Sequence, residues 1–371
     1  MARLLLQRTS FEGSNMLDGL RSVRREALHN CRGGLTQVME AFRAVLFACL
    51  GWAGRHLPRS WGAGLADTVQ SLLIVSPLGM RAQQVMRSTF PAQRKEARAI
   101  AAKWIGRPFH DHLIAARIAS KREDTSDWTV EMRGAPALLD DPNQSFIIAT
   151  GHFSRGAMTA LYMPQVISRR LATVVAPMTK IKSALGLRIR IQMREMRSGI
   201  EVVRNGEVDI ADVEGKSFLV RLLHHLRDPG GAVIIATDAA WGSHHAGGYT
   251  RPFAGFASQT FATGTARLAR LSQRPIVACV PFLDGDRRVV VHWSPVIPAP
   301  ARNDSEADVR ITNEILDWIE RRIGERPDQY VLAFGQGRYW SPVAQCWIDA
   351  NETRPSSKAA SRTLSTVKSV H

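Results

Sequence analysis

The sequence predicts an α/β fold, in which helices flank a mixed, largely parallel sheet and a helical region precedes the sheet. From Asp127 onward, short apolar runs alternate with longer amphipathic stretches, the pattern of a parallel sheet covered by helices. The chain has 371 residues, of which 45% are hydrophobic, enough for a sizeable core. Open sheets of this class keep their ligands beyond the carboxyl ends of the strands, so the site is expected there.

Each predicted strand is a short run of apolar or β-branched residues bounded by turn-forming residues. The predicted strands are Trp128–Met132, Ser145–Thr150, Ala172–Ala176, Ile200–Val203, Ala232–Ala236, Ile276–Val280 and Arg288–His292. Helical periodicity falls between them. The predicted helices are Met158–Arg170, Lys182–Arg197, Val213–Arg227, Phe261–Leu271 and Asp304–Gly324. Together these elements predict an α/β domain over residues 126–345.

The regions outside this domain differ in composition. Residues 1–35 are a poorly defined extension, 36–125 are predicted to be helical, and 350–371 are rich in Ser, Thr, Lys and Arg, as disordered basic tails are. The uncharged stretch Ala44–Gly54 is too short to span a bilayer, which takes about 20 residues. One helical face there carries apolar residues: Val38, Phe42, Val45, Leu46, Cys49 and Ala53. This face suits either a membrane interface or the domain's own core.

The charge of the chain points to an anionic partner. Lys and Arg number 49 against 33 Asp and Glu, which gives a net charge of +16. Such a chain is attracted to nucleic acid, anionic lipid or an acidic carrier protein. No helix-turn-helix, zinc-finger or RNA-binding signature accompanies the charge, so nucleic acid is not expected. The four cysteines are widely scattered, and neither a metal site nor a redox motif is expected.

The candidate site centres on His152, which follows the apolar strand Ser145–Thr150 and Gly151. A neutral imidazole can accept a proton near neutral pH, since its ordinary pKa is about 6.5. Arg155 is a candidate for binding a phosphate or phosphopantetheine group, because its guanidinium is planar and permanently charged. Asp238 ends another predicted strand and is expected to face the same crevice.

The segment Thr150–Ala157 resembles the histidine motif of the lipid A biosynthesis acyltransferases, part of the wider lysophospholipid acyltransferase superfamily. That motif is a histidine, four residues, then Glu or Asp; here the last position is Ala157. Other segments that resemble the family follow in the same order: Gly231–Asp238, Pro252–Thr260, Gly264–Ala269, Arg274–Pro281 and Arg326–Tyr330. Further on, the segment Phe334–Trp340 keeps only Arg338 and Trp340 of the family pattern.

The resemblance implies a glycerolipid acyltransferase-like sandwich on the cytoplasmic face of the bacterial inner membrane, held peripherally or by an interfacial helix. It implies transfer of a fatty acyl group from an acyl carrier protein or coenzyme A thioester to a lipid or glycolipid, without a cofactor. His152 is then the general base, and Arg194 or Arg197 corresponds to a family arginine that binds substrate, as Arg155 and Asp238 are also expected to do.

Ala157 leaves three interpretations open, because the acid at that position in the family orients the histidine ring. The protein is catalytically inactive and binds a lipid or a partner protein, or it works slowly with His152 alone. In the third interpretation, a carboxylate from another element reaches His152, and Asp238 is the best candidate.

Overall fold

The structure is a computed structural model, and contacts within the chain group it into two compact units. Met1–Cys49 and Met178–Arg194 form the first unit, and Leu50–Pro177 and Glu195–His371 form the second. The structure describes residues 38, 41–89, 91–153, 167, 170–175, 187–188, 190–192, 194, 198, 209–212, 218–238, 249–254, 256–285, 287–330, 338–341 and 346–349. The predicted extension 1–35 and tail 350–371 lie outside these residues, and the boundaries predicted at 36, 126 and 345 stay predictions.

The described helices precede, interrupt and follow the strands. The helices are α1 (residues 41–56), α2 (Arg59–Ile74), α3 (Pro77–Thr89), α4 (Ala97–Ala119), α5 (Phe218–Arg227), α6 (Gly264–Ser272) and α7 (Ala307–Glu325). The strands are β1 (Thr129–Arg133), β2 (Phe146–Thr150), β3 (Arg170–Val175), β4 (Asp209–Asp212), β5 (Gly231–Ala236), β6 (Tyr249–Phe253), β7 (Phe256–Phe261), β8 (Ile276–Leu283), β9 (Arg288–Trp293), β10 (Arg338–Ser341) and β11 (Cys346–Asp349). Short 3-10 turns include Pro91–Glu96 and Pro327–Gln329.

Seven strands form the main sheet, in the order β1-β9-β8-β2-β5-β3-β4. All neighbours in it run parallel except β8 and β9, which are antiparallel. The central strands β2 and β8 are buried along their whole length. Their continuous apolar sequences fit a sheet covered on both faces. The predicted mixed, largely parallel sheet is therefore confirmed.

Two predicted helix boundaries are wrong. Arg170 does not end a helix; it begins β3 and pairs with Gly231. Phe261 does not begin a helix; it ends β7, where its fully buried ring packs edge-on against Phe253. In both cases the residue sits at a junction where apolar spacing fits either element. The sequence also missed β4 and the hairpins β6–β7 and β10–β11, whereas Ile200–Val203 lies outside the described residues.

The helical layer packs closely on α4. Helices α2 and α3 both contact α4, and the buried face of α2 is built from small and branched residues. At Gly62 a side chain would come within 2.7 Å of the Leu113 side chain, and at Gly54 within 2.6 Å of the Leu113 carbonyl. These glycines therefore permit the close approach of the helices. Beyond its contacts with α2 and α3, α4 also contacts the Pro327–Gln329 turn.

Among the described helices, none is by itself long and apolar enough to cross a bilayer. Helix α2 together with Gly79–Arg87 meets the length and composition test, but the two parts are bent by 75° relative to each other. Exposed residues of α1 include Phe42, Val45, Cys49 and Trp52, and Val38 before the helix is exposed too, while Ala53 of the predicted apolar face is buried.

A buried carboxylate joins the helical layer to the sheet. The side chain of Glu123 is only 1% exposed, and one of its oxygens lies 3.3 Å from Arg59 Nη1 and 3.3 Å from Arg287 Nε. Its other oxygen lies 3.3 Å from Arg117 Nε. The Arg117 guanidinium also donates to the carbonyls of Leu57 and Arg122. Glu123 thus balances positive charge that comes from α2, from α4 and from the approach to β9.

Replacing Glu123 by Gln should lower the free energy of unfolding by about 3–5 kcal/mol, because Arg117 stays buried without its counter-charge. Denaturant unfolding followed by circular dichroism measures this loss. Glu131→Gln is the matched control, since Glu131 pairs with Arg133 and Arg288 at the surface. Surface ion pairs contribute little, so its effect should be much smaller. Equal losses of unfolding free energy from the two variants would contradict a larger contribution from the buried Glu123.

Candidate active site

His152 lies where β2 leaves the sheet. The strand Phe146–Thr150 is fully buried between β5 and β8, and its end is held by the Thr237 N–H, which donates to the Thr150 carbonyl at 2.8 Å. In the β2–β5 pairing Thr150 is opposite Ala236. His152 and Asp238 each come two residues after this pair, so the parallel register places them side by side at the carboxyl edge.

Asp238 contacts His152 at two points. Its Oδ1 lies 2.7 Å from Nδ1 of the imidazole, and its Oδ2 accepts a hydrogen bond of 2.7 Å from the His152 main-chain N–H. The Asp238 side chain is fully buried, whereas the His152 side chain is 34% exposed. A carboxylate beside Nδ1 favours the tautomer that carries its proton there. The other ring nitrogen, Nε2, then holds the basic lone pair.

The environment raises the pKa of His152 above its ordinary value of 6.5. Burial acts in the opposite direction, because it disfavours the charged imidazolium. The negative charge of Asp238 and its hydrogen bond to the ring favour the imidazolium, and their joint effect exceeds that of burial. The pair therefore makes His152 a stronger base than an isolated imidazole.

The chain turns sharply at His152, and Gly151 makes the turn possible. The Phe153 N–H donates to the Gly151 carbonyl at 2.9 Å, which closes a three-residue turn around His152. A Cβ at Gly151 would lie 2.8 Å from the Phe153 ring and 3.1 Å from Asp238 Oδ2. The site thus requires glycine for the approach of the carboxylate.

An aromatic cluster supports the turn from below. The Phe153 side chain is fully buried, with its ring centroid 5.7 Å from that of Phe282 and 5.3 Å from that of Tyr330. The backbones of Phe153 and Tyr330 also form an isolated antiparallel bridge. Phe153, which directly follows His152, is therefore fixed to a segment much later in the chain.

Further polar side chains lie around Asp238. The Thr237 hydroxyl lies 3.1 Å from the Thr265 hydroxyl in the first turn of α6. Gln259 is fully buried, and its amide N–H₂ makes a long contact of 3.5 Å with the Asp238 carbonyl. Sequence reasoning missed Gln259, Tyr330 and Thr265 as neighbours of the site. All three lie in segments that resemble the family, but no spacing relates them to His152.

Among the predicted site residues that the structure describes, His152 and Asp238 lie together. Asp238, predicted to bind substrate, is buried and has both carboxylate oxygens on His152, a geometry that suits orientation of the ring. Arg194 is helical and belongs to the other compact unit. Arg155, Ala157 and Arg197 lie outside the described residues. Within the described part of the chain, no group of three or more His, Cys, Asp or Glu residues is placed to hold a metal ion.

Gly151→Ala should lower the free energy of unfolding by about 1–3 kcal/mol, because the added methyl overlaps the Phe153 ring and forces local shifts. It should also break the hydrogen bond from the His152 N–H to Asp238, visible as a chemical-shift change of that amide. Gly264→Ala is the control, since its Cβ would meet no atom within 4 Å. A Gly151→Ala protein as stable as the Gly264→Ala protein would contradict the crowding described here.

Comparison with known proteins finds a family model and a solved structure that match the chain. The family model for bacterial lipid A biosynthesis acyltransferases matches residues 37–334, which include the helical layer, His152, Asp238 and Tyr330. No curated protein matches the chain. Among solved structures, the chain is similar to the 1-acyl-sn-glycerophosphate (LPA) acyltransferase PlsC from Thermotoga maritima, at 10% identity and a TM-score of 0.31, over 70% of this chain and 93% of that one. The family match covers most of the sequence, and the chain therefore belongs to the bacterial lipid A biosynthesis acyltransferase family.

Proposed function

We propose that the protein moves a fatty acyl group from a thioester donor to a hydroxyl or amine of a lipid or glycolipid acceptor, with His152 as general base. Membership of the family gives the general class, acyl transfer to a lipid. The observation that carries the finer proposal is the two-point contact between Asp238 and His152. It supplies the carboxylate that the family motif has five residues after the histidine.

The mechanism follows from the basic lone pair on His152 Nε2. His152 Nε2 removes the proton from the acceptor hydroxyl as the oxygen attacks the thioester carbonyl carbon. The resulting imidazolium is stabilised by the negative charge of Asp238. When the carbon–sulfur bond breaks, the imidazolium returns its proton to the departing thiolate. The products are an ester and a free thiol, and no cofactor takes part, because the thioester itself is activated.

The donor and acceptor belong to the same proposal. We propose that an acyl carrier protein or coenzyme A carries the acyl group, and that the charge of +16 attracts the acidic donor. Arg155, Arg194 and Arg197 are proposed to bind anionic groups of these substrates. The alternative, an inactive protein that binds lipid or a partner, is favoured by Ala157 and disfavoured by the carboxylate of Asp238.

We propose the cytoplasmic face of the bacterial inner membrane as the location, with the anionic bilayer surface as a partner. Apolar stripes exposed on two helices support this. Helix α1 exposes Phe42, Val45 and Trp52 along one face, each by more than half. Along α2 a comparable row is Trp61, Leu65, Leu72 and the following Val75. Exposed aromatic and aliphatic side chains on a basic protein suit binding in the interface of an anionic bilayer.

His152→Ala and Asp238→Asn should both reduce acyl transfer, and the measurement is made in two settings. In the native host, mass spectrometry of extracted lipids should show the same lipid lacking one acyl chain in a deletion strain and in a strain carrying only His152→Ala. In vitro, dodecanoyl thioesters of coenzyme A and of acyl carrier protein are offered with host lipid extract. Loss of one general base typically costs about 10²–10⁴-fold in rate.

Asp238→Asn distinguishes orientation of His152 from substrate binding. Without the charge, burial meets less opposition, so the pKa of His152 should be lower than in the wild type, and the acid limb of the rate profile should move to lower pH. Glu131→Gln, at the surface, is the control. If the lipids change on deletion while His152→Ala behaves as wild type, the fold serves binding and the proposed catalysis is wrong.

Membrane attachment is tested by flotation with vesicles of anionic phospholipid. The double variant Trp61→Ser, Leu72→Ser should bind at least about tenfold more weakly, since each buried apolar side chain contributes about 1.5–3 kcal/mol. Wild-type binding should persist at high salt, because an apolar face is not screened. The control, Val220→Ser with Val309→Ser, removes exposed apolar groups from α5 and α7. Equal binding by both double variants would refute attachment through α2.

A further inference from the structure

Trp104 on α4 makes a hydrogen bond to a distant part of the chain. Its indole N–H donates to the main-chain carbonyl of Tyr330 at 2.5 Å. The two residues are 226 positions apart in the sequence. Tyr330 is fully buried and follows the Pro327–Gln329 turn, which contacts α4. The bond therefore ties the helical layer to the segment beside the candidate site.

Tyr330 directly contacts Phe153, the last residue of the turn that carries His152. Its backbone bridges that of Phe153, and the two rings pack with centroids 5.3 Å apart. Phe153 follows His152 directly and closes its turn through the hydrogen bond to Gly151. A displacement of the Tyr330 backbone consequently moves Phe153, and with it the imidazole relative to Asp238.

The residue before Tyr330 is bound to the end of β8. Gln329 is fully buried, its amide oxygen accepts from the Leu283 N–H at 2.8 Å, and its amide N–H₂ donates to the Leu283 carbonyl at 2.8 Å. The Gln329 amide thus pairs with the Leu283 main chain as a neighbouring strand would. Two contacts thus hold this segment, one between the Gln329 side chain and the end of β8 and one between the Tyr330 carbonyl and Trp104. Loss of either contact leaves the segment with only the other.

We propose that Trp104 is a positioning residue for His152, acting through the Tyr330 carbonyl and the Phe153 backbone. Its effect on catalysis rests on the proposed function, but its effect on the geometry of His152 does not. Small displacements of a catalytic group are costly, since a misplacement of about 1 Å can reduce the rate by about a hundredfold.

The fold provides a matched control for the indole N–H. Trp293 at the end of β9 is buried, whereas Trp104 is half-buried, and Nε1 of Trp293 has no hydrogen-bond partner among the described residues. Trp104→Phe and Trp293→Phe make the same chemical change, removing an indole N–H and reducing the ring. Only the first removes a bond that leads to His152.

The primary experiment is an NMR pH titration of the His152 imidazole in the full-length protein and both variants. Because a looser contact with Asp238 favours the imidazolium less, the pKa of His152 should be lower in Trp104→Phe than in wild type and unchanged in Trp293→Phe. Turnover of the dodecanoyl thioester with host lipid extract should show kcat reduced by about ten- to a hundredfold in Trp104→Phe with little change in KM.

The outcomes separate the two proposals. If the His152 titration in Trp104→Phe matches that in Trp293→Phe, the positioning role is wrong, whatever the activity. If His152→Ala retains full activity while Trp104→Phe lowers the His152 pKa, the proposed function fails and the positioning of His152 stands. Should Trp104→Phe not fold, benzothienylalanine at position 104 keeps the bicyclic shape and replaces only the N–H by sulfur, and the same titration decides.

Discussion

The contact between Asp238 and His152 is the interaction on which the candidate site depends. The carboxylate binds both the ring and the main chain of His152, so it fixes the position of the backbone as well as the orientation of the imidazole. This is possible because β2 and β5 are parallel neighbours with Thr150 opposite Ala236. His152 and Asp238, each two residues further on, then leave the sheet at the same level. The buried carboxylate therefore reaches the imidazole directly from the neighbouring strand.

The surroundings restrict the same pair from several directions. Gly151 leaves space for the carboxylate, and the Phe153–Tyr330 bridge holds the chain after the turn. Since Tyr330 is bonded to Trp104 on α4, the helical layer takes part in this arrangement. Helix α4 also packs on α2, whose outer side carries the apolar residues proposed to meet the bilayer. The proposed membrane attachment and the proposed positioning of His152 therefore share one supporting helix.

The sequence predicted the parts of this site better than their arrangement. The uninterrupted apolar runs of β2, β5 and β8 identified the buried strands, and the family resemblance identified His152 and Asp238. Strand order was not accessible, because β3 follows β2 in the chain but lies beyond β5 in the sheet. For the same reason the sequence left three interpretations of Ala157 open. The hairpin β6–β7 was missed since Pro252 and alternating polar residues interrupt its apolar pattern.

The origin of the acid changes what the His–Asp pair requires of the fold. An acid five residues after the histidine belongs to the same local segment, so the pair would form wherever that segment is ordered. Asp238 comes from another strand, and the pair exists only when β2 and β5 are in register. A slip of one residue would turn the following side chains to the opposite face of the sheet. Because the Asp238 side chain is buried, its electrostatic contact with His152 is also stronger than one between two surface groups. Ala157 thus does not leave His152 without a carboxylate. The orientation of the imidazole depends on the pairing of β2 with β5, which positions Asp238, and not on an acid in the local segment.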